Sequence, residues 1–254
     1  MSITIRKFDS NNVQINRAFI IIGKKGSGKT SVMFTLLHDL HKRVDYAMAM
    51  CGTRDGLQRF RSILPANVVY PSFNQDAFRN IVQTLDRCSK VPDYSKVTAI
   101  VLDDLAYGKA AFKTEEMRMA LMNGRWLGIF LILTQQYLMD ITPDLRGNFD
   151  YIFAMAESTR KTRQKLYEMY FGIFNTFADF ERVFSQVTSK RGRALVFDTT
   201  SPSNVIQDRV FYYDSVVDLP GFQLGNSRFR EHLVNIRTEE HHRDSSENDV
   251  GVVV

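Results

Sequence analysis

The chain has 254 residues, of which 44% are hydrophobic, and a formal net charge of +5. It is long enough for one large domain, and its composition is normal for a folded soluble protein. Two cysteines, Cys51 and Cys88, are too few for a disulfide framework or a four-cysteine zinc site. The sequence shows no apolar run of the ~18 residues that a membrane span needs, and its first residues lack the apolar segment of a signal peptide. We therefore expect an intracellular protein with reduced thiols and no membrane-spanning segment.

The charge is unevenly distributed along the chain. From Thr238 onward, five acidic residues accompany a single arginine, so the remainder of the chain carries +9. This tail is too polar to form a core, and we predict that it is disordered from about residue 238. A basic body favours a polyanionic partner, although many ordinary enzymes are equally basic.

The first strong pattern is a strand that leads into a phosphate-binding loop. Four apolar residues, Phe19–Ile22, predict a buried parallel strand, and Gly23-Lys-Lys-Gly-Ser-Gly-Lys-Thr30 follows directly. The glycines let backbone N–H groups wrap a phosphate, Lys29 adds a positive charge, and the Thr30 hydroxyl suits Mg²⁺. An amphipathic helix comes next and directs its positive end at the same anion. We predict a nucleoside-triphosphate site formed by Gly23, Lys24, Lys25, Gly26, Ser27, Gly28, Lys29, Thr30 and Ser31.

Further strands and helices are predicted before the next motif. Val44–Met50 is an apolar strand, and helical spacing follows over Asp55–Leu64. A short strand at Val68–Tyr70 precedes a helix over Gln75–Arg87. This alternation favours an α/β fold with a mainly parallel central sheet flanked by helices.

A pair of carboxylates ends the next apolar strand, Val97–Leu102. Paired acids are often turn residues, but Asp103 and Asp104 follow a phosphate loop in an α/β pattern. We predict that Asp103 binds Mg²⁺ through its water shell. Asp104 is predicted to take a proton from the attacking water or to orient it.

Polar amides end another predicted strand, Gly128–Gln136, which follows a helix over Thr114–Met122. We predict that Gln135 hydrogen-bonds the γ-phosphate or the attacking water, with an ordinary turn as the alternative. The loop that follows, Asp140–Asn148, contains Arg146.

The last third of the chain alternates strands with basic segments. A strand over Tyr151–Met155 precedes two helices, over Ser158–Phe174 and Asn175–Val187, which could form a small lobe over residues 158–190. Two basic clusters are candidates for DNA contact: Arg160, Lys161, Arg163 and Lys165; Lys190, Arg191 and Arg193. For each cluster, solvated surface charge is an equally good interpretation.

Overall we predict an arm or strand over residues 1–17, a P-loop ATPase domain over 18–217 and an extension over 218–254.

The order of these motifs resembles the additional-strand, RecA-like group of P-loop NTPases. The Asp-Asp pair, Asn123-Gly-Arg125, Thr134-Gln135 and Leu145-Arg146 are similar to motifs of the HerA/FtsK superfamily. Within it, the sequence resembles the genome-packaging ATPases of large DNA viruses, of the poxvirus-like type, over roughly residues 15 to 215. Many members of the superfamily carry Glu as the second acid, whereas Asp104 is one methylene shorter.

The resemblance implies a ring of subunits that hydrolyses ATP with Mg²⁺ and packages viral double-stranded DNA. Capsid or portal-like assembly proteins would be its partners. It would act in the host cytoplasm at the viral assembly site, with the virion as a second location. An arginine inserted by a neighbouring subunit accelerates such hydrolysis by ~10³–10⁵. Arg146 is the first candidate for this arginine and Arg125 is the second.

Three alternatives stay open from the sequence. A cellular HerA/FtsK-type DNA translocase would share the site, but such proteins usually carry added domains. A P-loop nucleotide kinase would share the loop and transfer phosphate to a second nucleotide, which an assay with nucleotide acceptors would reveal. A structural protein of the assembly machinery would bind ATP and hardly hydrolyse it.

Overall fold

The computed structural model describes residues 4–104, 111–136 and 141–235. These residues form a nine-stranded sheet with the order β1-β9-β8-β7-β2-β6-β5-β3-β4. The strands are β1 Arg6–Lys7, β2 Ala18–Ile22, β3 Tyr46–Cys51, β4 Val69–Tyr70, β5 Thr98–Asp103, β6 Ile129–Gln135, β7 Tyr151–Ala154, β8 Arg193–Asp198 and β9 Val210–Asp214. Only β8 among them runs against its neighbours.

The topology confirms the predicted α/β fold with a mainly parallel sheet. Strand β6 lies between the strand that precedes the phosphate loop, β2, and the strand that carries the acids, β5. The resemblance to the additional-strand group implies a strand at this position. Every residue of β2, β5 and β6 is buried, as expected for central strands covered on both faces.

Helices cover both faces of the sheet. They are α1 Lys29–Leu40, α2 Arg54–Ile63, α3 Gln75–Cys88, α4 Glu115–Asn123, α5 Pro143–Arg146, α6 Arg160–Tyr170, α7 Phe177–Thr188 and α8 Ile206–Arg209. Residues 227–235 are also helical. Several of these helices begin at a side chain that accepts a hydrogen bond from the first turn, and these caps explain where the helices start: Thr53, Asn74, Thr114 and Thr176.

Two hydrophobic cores lie on opposite faces of the sheet. One contains the apolar residues of α1 and α2, with Phe8 from the N-terminal arm and Leu224 near the C-terminus. The other contains the apolar residues of α3, α4, α6 and α7, including Phe180 and Phe184. The two helices of the predicted lobe over 158–190 therefore pack on the main sheet.

Several details differ from the sequence predictions. The predicted loop Asp140–Asn148 contains α5, which begins at Pro143, where the fixed φ of proline favours the first helical position. Helix α6 ends at Tyr170, four residues before the predicted end. The N-terminal arm contributes β1, and Leu219, Phe222 and Phe229 from beyond residue 217 pack on the core. The predicted disorder from residue 238 lies outside the described residues.

None of the helices in the described parts of the chain is long and apolar enough to cross a lipid bilayer.

Candidate nucleotide site

The phosphate loop lies at the carboxyl end of β2, between that strand and α1. A Cβ on Gly23 would lie 2.6 Å from Met155 Cβ and 2.6 Å from Ser27 Oγ, so only glycine fits there. Gly26 and Gly28 have φ of +76° and +97°, a region that side chains disfavour. The Gly23 N–H donates to the Gln135 carbonyl over 3.0 Å, which ties the start of the loop to β6.

Lys29 begins α1 and is only 7% exposed. Its Nζ donates to the Lys24 carbonyl over 3.2 Å, so the ammonium folds back across the loop. Burial lowers the pKa of Lys29, and the nearby charges of Asp104 and Asp103 oppose that shift. A partly desolvated cation of this kind attracts an anion more strongly than a solvated one.

Asp103 ends β5 at the same edge of the sheet and is 1% exposed. The Thr134 hydroxyl donates to Oδ1 over 2.7 Å, and the Cys51 thiol donates to Oδ2 over 3.5 Å. Burial raises the pKa of Asp103, and these two hydrogen bonds lower it in part. Both donors are neutral, so the buried carboxylate retains a strong preference for a cation.

Asp104 follows in a strained backbone conformation, with φ of +48°. Its N–H donates to the Thr134 hydroxyl over 2.9 Å, and the Gln136 amide donates to its Oδ1 over 2.5 Å. The end of β6 therefore holds both acids: Thr134 contacts each residue, and Gln136 contacts the second carboxylate.

Gln135, the amide predicted to act on the γ-phosphate, is buried as the last residue of β6. Its carbonyl accepts from the loop, so it lies beside the phosphate site. Gln136 is the neighbouring amide that contacts Asp104. The predicted function of Gln135 stays a prediction.

The site suits Mg²⁺, judged by the residues present. Mg²⁺ keeps several waters and takes one or two protein oxygens together with substrate phosphates. Asp103 and Thr30 can supply those oxygens, and the two hydrogen-bond donors to Asp103, Thr134 and Cys51, are neutral. The described residues contain no cluster of three or more His, Cys, Asp or Glu side chains that could hold a metal ion.

The two candidate arginines are held by contacts outside the phosphate loop and the acids. The Arg125 guanidinium donates to Asp150, next to the first residue of β2, and its side chain is 57% exposed. Arg146 ends α5, is partly buried, and donates from Nε to the Ile141 carbonyl over 2.9 Å. No contact in the described residues joins either side chain to the acids of the same subunit.

The basic clusters are partly neutralised within the chain. Arg163 pairs with Glu181, and both Lys190 and Arg193 pair with Asp214. The charged ends of Lys161, Lys165 and Arg191 make no ion pair with the residues that the structure describes. Arg160, whose guanidinium lies 5.5 Å from the centre of the Phe177 ring, makes no ion pair with the described residues either. These four members of the clusters are available to an external anion.

Sequence reasoning missed two contributors to the site. Cys51 lies 52 positions before Asp103 and reaches it only because β3 and β5 are neighbours, with Cys51 opposite Asp103. Gly56 packs between them, where a Cβ would lie 2.3 Å from Cys51 Sγ and 3.3 Å from Asp103 Oδ2. The sequence carries little signal for either residue, because Cys51 is the last residue of β3 and Gly56 lies in the first turn of α2.

No family model matches the chain. Its sequence is similar to two uncharacterized viral proteins. One, from Invertebrate iridescent virus 3, is 29% identical over 76% of this chain and 73% of its own length. The other, from Acanthamoeba polyphaga mimivirus, is 28% identical over 82% of this chain and 76% of its own length.

The fold is similar to that of solved P-loop ATPases. The genome packaging NTPase B204 from Sulfolobus turreted icosahedral virus 2, in complex with ATPγS, aligns with a TM-score of 0.56 and 18% identity, covering 81% of this chain and all of B204. ATPases 2 and 3 of EssC from Geobacillus thermodenitrificans align with a TM-score of 0.53 and 15% identity, covering 89% of this chain and 45% of that one. At these identities the likeness shows the P-loop ATPase fold.

Proposed function

We propose that this protein is an ATP-hydrolysing motor that packages viral double-stranded DNA, acting as a ring of identical subunits. One observation carries the proposal. Beside a complete phosphate loop, the Thr134 hydroxyl donates to the Asp103 carboxylate and accepts from the Asp104 N–H. The likeness to a genome packaging NTPase and the viral origin of the sequence relatives support the biological context. The finer assignment, to the HerA/FtsK superfamily and its poxvirus-like branch, rests on the sequence motifs.

Binding of ATP follows from the phosphate loop. Its N–H groups and the Lys29 ammonium would hold the β- and γ-phosphates, because a buried cation and aligned dipoles favour an anion there. Thr30 and Asp103 would hold Mg²⁺, which neutralises part of the phosphate charge when bound.

Hydrolysis requires a positioned water. Asp104 follows the metal-binding acid in the chain, its charge acts on Asp103, and Gln136 holds its Oδ1 in place. We infer that Asp104 accepts a proton from the attacking water or orients it, while Gln135 contacts the γ-phosphate from the end of β6. Thr134 keeps the two acids in fixed relative positions.

The remaining transition-state charge would be met by an arginine from the next subunit. Lys29 is the buried cation of the loop, and neither Arg125 nor Arg146 contacts the acids of its own subunit among the described residues. An arginine supplied in trans is worth ~10³–10⁵ in rate, so an isolated subunit should hydrolyse ATP slowly.

DNA would be bound through its phosphates, without reading of the base sequence. Arg160, Lys161 and Lys165 on α6 are the cations of the first basic cluster that make no ion pair with the described residues. Affinity should fall steeply with salt and depend little on DNA sequence. We expect the motor to act in the host cytoplasm and to dock on capsid or portal-like proteins.

The test is the rate of phosphate release from ATP, measured with and without double-stranded DNA, together with particle size in solution. We expect hydrolysis that DNA stimulates and a particle several times larger than a monomer. Absence of ATP hydrolysis under both conditions would contradict the proposal. Transfer of phosphate to an added nucleotide would instead identify a kinase. ATP hydrolysis that DNA does not stimulate would contradict a function as a DNA motor.

A further inference from the structure

The antiparallel strand β8 brings a basic turn to the phosphate loop. Because β8 runs against the other strands, its first residues lie at the edge where β2 and β5 end. A Cβ on Gly28 of the loop would lie 3.6 Å from Gly192 Cα and 3.5 Å from Met155 Cε. The turn Lys190–Arg193, a candidate for DNA contact in the sequence, therefore packs directly on the nucleotide loop.

This turn is fixed in position by its own contacts. Arg193 donates to both oxygens of Asp214, over 2.8 and 2.9 Å, and Lys190 lies 3.3 Å from the same carboxylate. Gly192 has φ of +77°, and its carbonyl accepts from the Ser215 N–H over 2.8 Å. The next N–H, that of Val216, donates to Thr35 of α1 over 3.0 Å. The turn is thus tied to the helix that follows the phosphate loop.

The cations of the turn are not equivalent. Asp214 neutralises Lys190 and Arg193, whereas Arg191 is exposed and makes no ion pair among the described residues. Arg191 is next to Gly192, the residue that touches the loop. It is the member of the turn that stays available to a bound anion.

The direction of the bound nucleotide follows from the positions of the acids. Asp103 and Asp104 lie on the β5 and β6 side of β2, so the γ-phosphate must face that side. The nucleoside end then extends toward the opposite side, over β7 and β8. On that side the Lys24 ammonium donates to Ser158 Oγ over 3.1 Å, which closes the loop against the segment after β7.

We propose that the turn Lys190–Arg193 forms the wall of the site around the nucleoside end of ATP, with the Arg191 guanidinium paired to the α-phosphate. This inference rests on the proposed function, because it assumes that the loop binds a nucleoside triphosphate. It reassigns the second basic cluster from DNA to the nucleotide.

Calorimetric titration of the full chain with ATP, ADP and pyrophosphate, in Mg²⁺ buffer, tests the assignment. Arg191→Ala should weaken ATP and ADP binding equally, each about tenfold, because both carry the α-phosphate. Pyrophosphate, which occupies the β- and γ-positions, should bind as in the wild type. Arg191→Lys should lose less affinity for ATP and ADP, since it keeps the positive charge and loses only the planar guanidinium. Lys42→Ala, which removes an exposed cation beyond the far end of α1, is the control.

Each other result has a defined meaning. If the wild type binds ATP, Lys29→Ala abolishes binding and Arg191→Ala binds normally, this inference is wrong and the proposed function stands. If Arg191→Ala binds ATP normally but binds double-stranded DNA more weakly in a parallel titration, the turn contacts DNA and this inference is wrong. Equal weakening of all three ligands would overturn the α-phosphate assignment. If the wild type binds no ATP, the proposed function fails and this inference fails with it.

Discussion

Two buried aspartates lie at opposite edges of the sheet and have opposite electrostatic surroundings. Asp103, at the carboxyl edge, is 1% exposed and accepts from a hydroxyl and a thiol. Asp150, at the amino edge, is 3% exposed, accepts from the Arg125 guanidinium and the Ala18 N–H, and lies 3.7 Å from Arg17 Nε. The charge of Asp150 is balanced within the chain and fixes the start of two strands. Asp103 forms no ion pair among the described residues, although the charges of Lys29 and Arg59 act on it from farther away. Its carboxylate therefore stays available to an external cation.

The largest expected effect is loss of hydrolysis at the carboxyl edge. Lys29→Ala removes the phosphate contact and Asp103→Ala removes the metal contact, so each should reduce phosphate release to the background of the assay. Lys42→Ala is the matched control and should hydrolyse ATP normally. Near-normal turnover by either site variant would refute the assignment of the carboxyl edge.

A smaller loss is expected from Asp104→Asn. The substitution keeps the shape of the side chain and its capacity to accept from Gln136, and it removes the charge that acts on water. ATP binding should persist while hydrolysis falls by ~10² or more. A binding titration and a phosphate-release assay on the same preparation measure both. Unchanged hydrolysis would make Asp104 a structural residue of the turn.

Replacing each aspartate by asparagine should change the melting temperature in opposite directions when it is measured without nucleotide and Mg²⁺. Burial raises the pKa of Asp103, so the folded state holds its proton more tightly than the unfolded chain, and ionisation costs stability. Asp103→Asn should therefore raise the melting temperature at pH 8, and the gain should shrink as pH falls toward the ordinary pKa of aspartate.

Asp150→Asn is the matched comparison and should lower the melting temperature, because it leaves Arg125 and Arg17 without their carboxylate. A change of about 1 kcal/mol shifts the melting temperature of a chain of this size by ~2–4 °C. Scanning calorimetry of both variants at several pH values measures the difference. If both variants melt below the wild type at pH 8, the contrast between the two edges is wrong.

The sequence predicted those parts of the site that are contiguous in the chain. The glycines, Lys29 and Thr30 follow one strand, and Asp103 follows another, so apolar runs and spacing were sufficient. The resemblance to the additional-strand group implies a strand between these two, and β6 occupies that position.

The missing parts depend on register between strands. Thr134 reaches both acids because β6 pairs with β5, with Leu133 opposite Leu102. The thiol of Cys51 depends in the same way on the pairing of β3 with β5. The direction of β8, which carries the basic turn to the loop, depends on packing that hydrophobic periodicity does not report. Local patterns do not contain these distances, and the three-dimensional structure supplies them.

The most direct test concerns the arginine that completes the nucleotide site. Arg125, one of the two candidates, lies at the amino edge beside Trp126, a side chain that is 85% exposed. In the proposed ring, Arg146 or Arg125 of one subunit completes the nucleotide site of its neighbour. The measurement is phosphate release by mixtures of Lys29→Ala subunits with Arg146→Ala subunits, and with Arg125→Ala subunits. In a mixture, some junctions pair an intact phosphate loop with an intact arginine. We predict that one of the two mixtures hydrolyses ATP faster than the sum of its components measured separately. Failure of both mixtures to recover any activity would contradict a site shared between subunits.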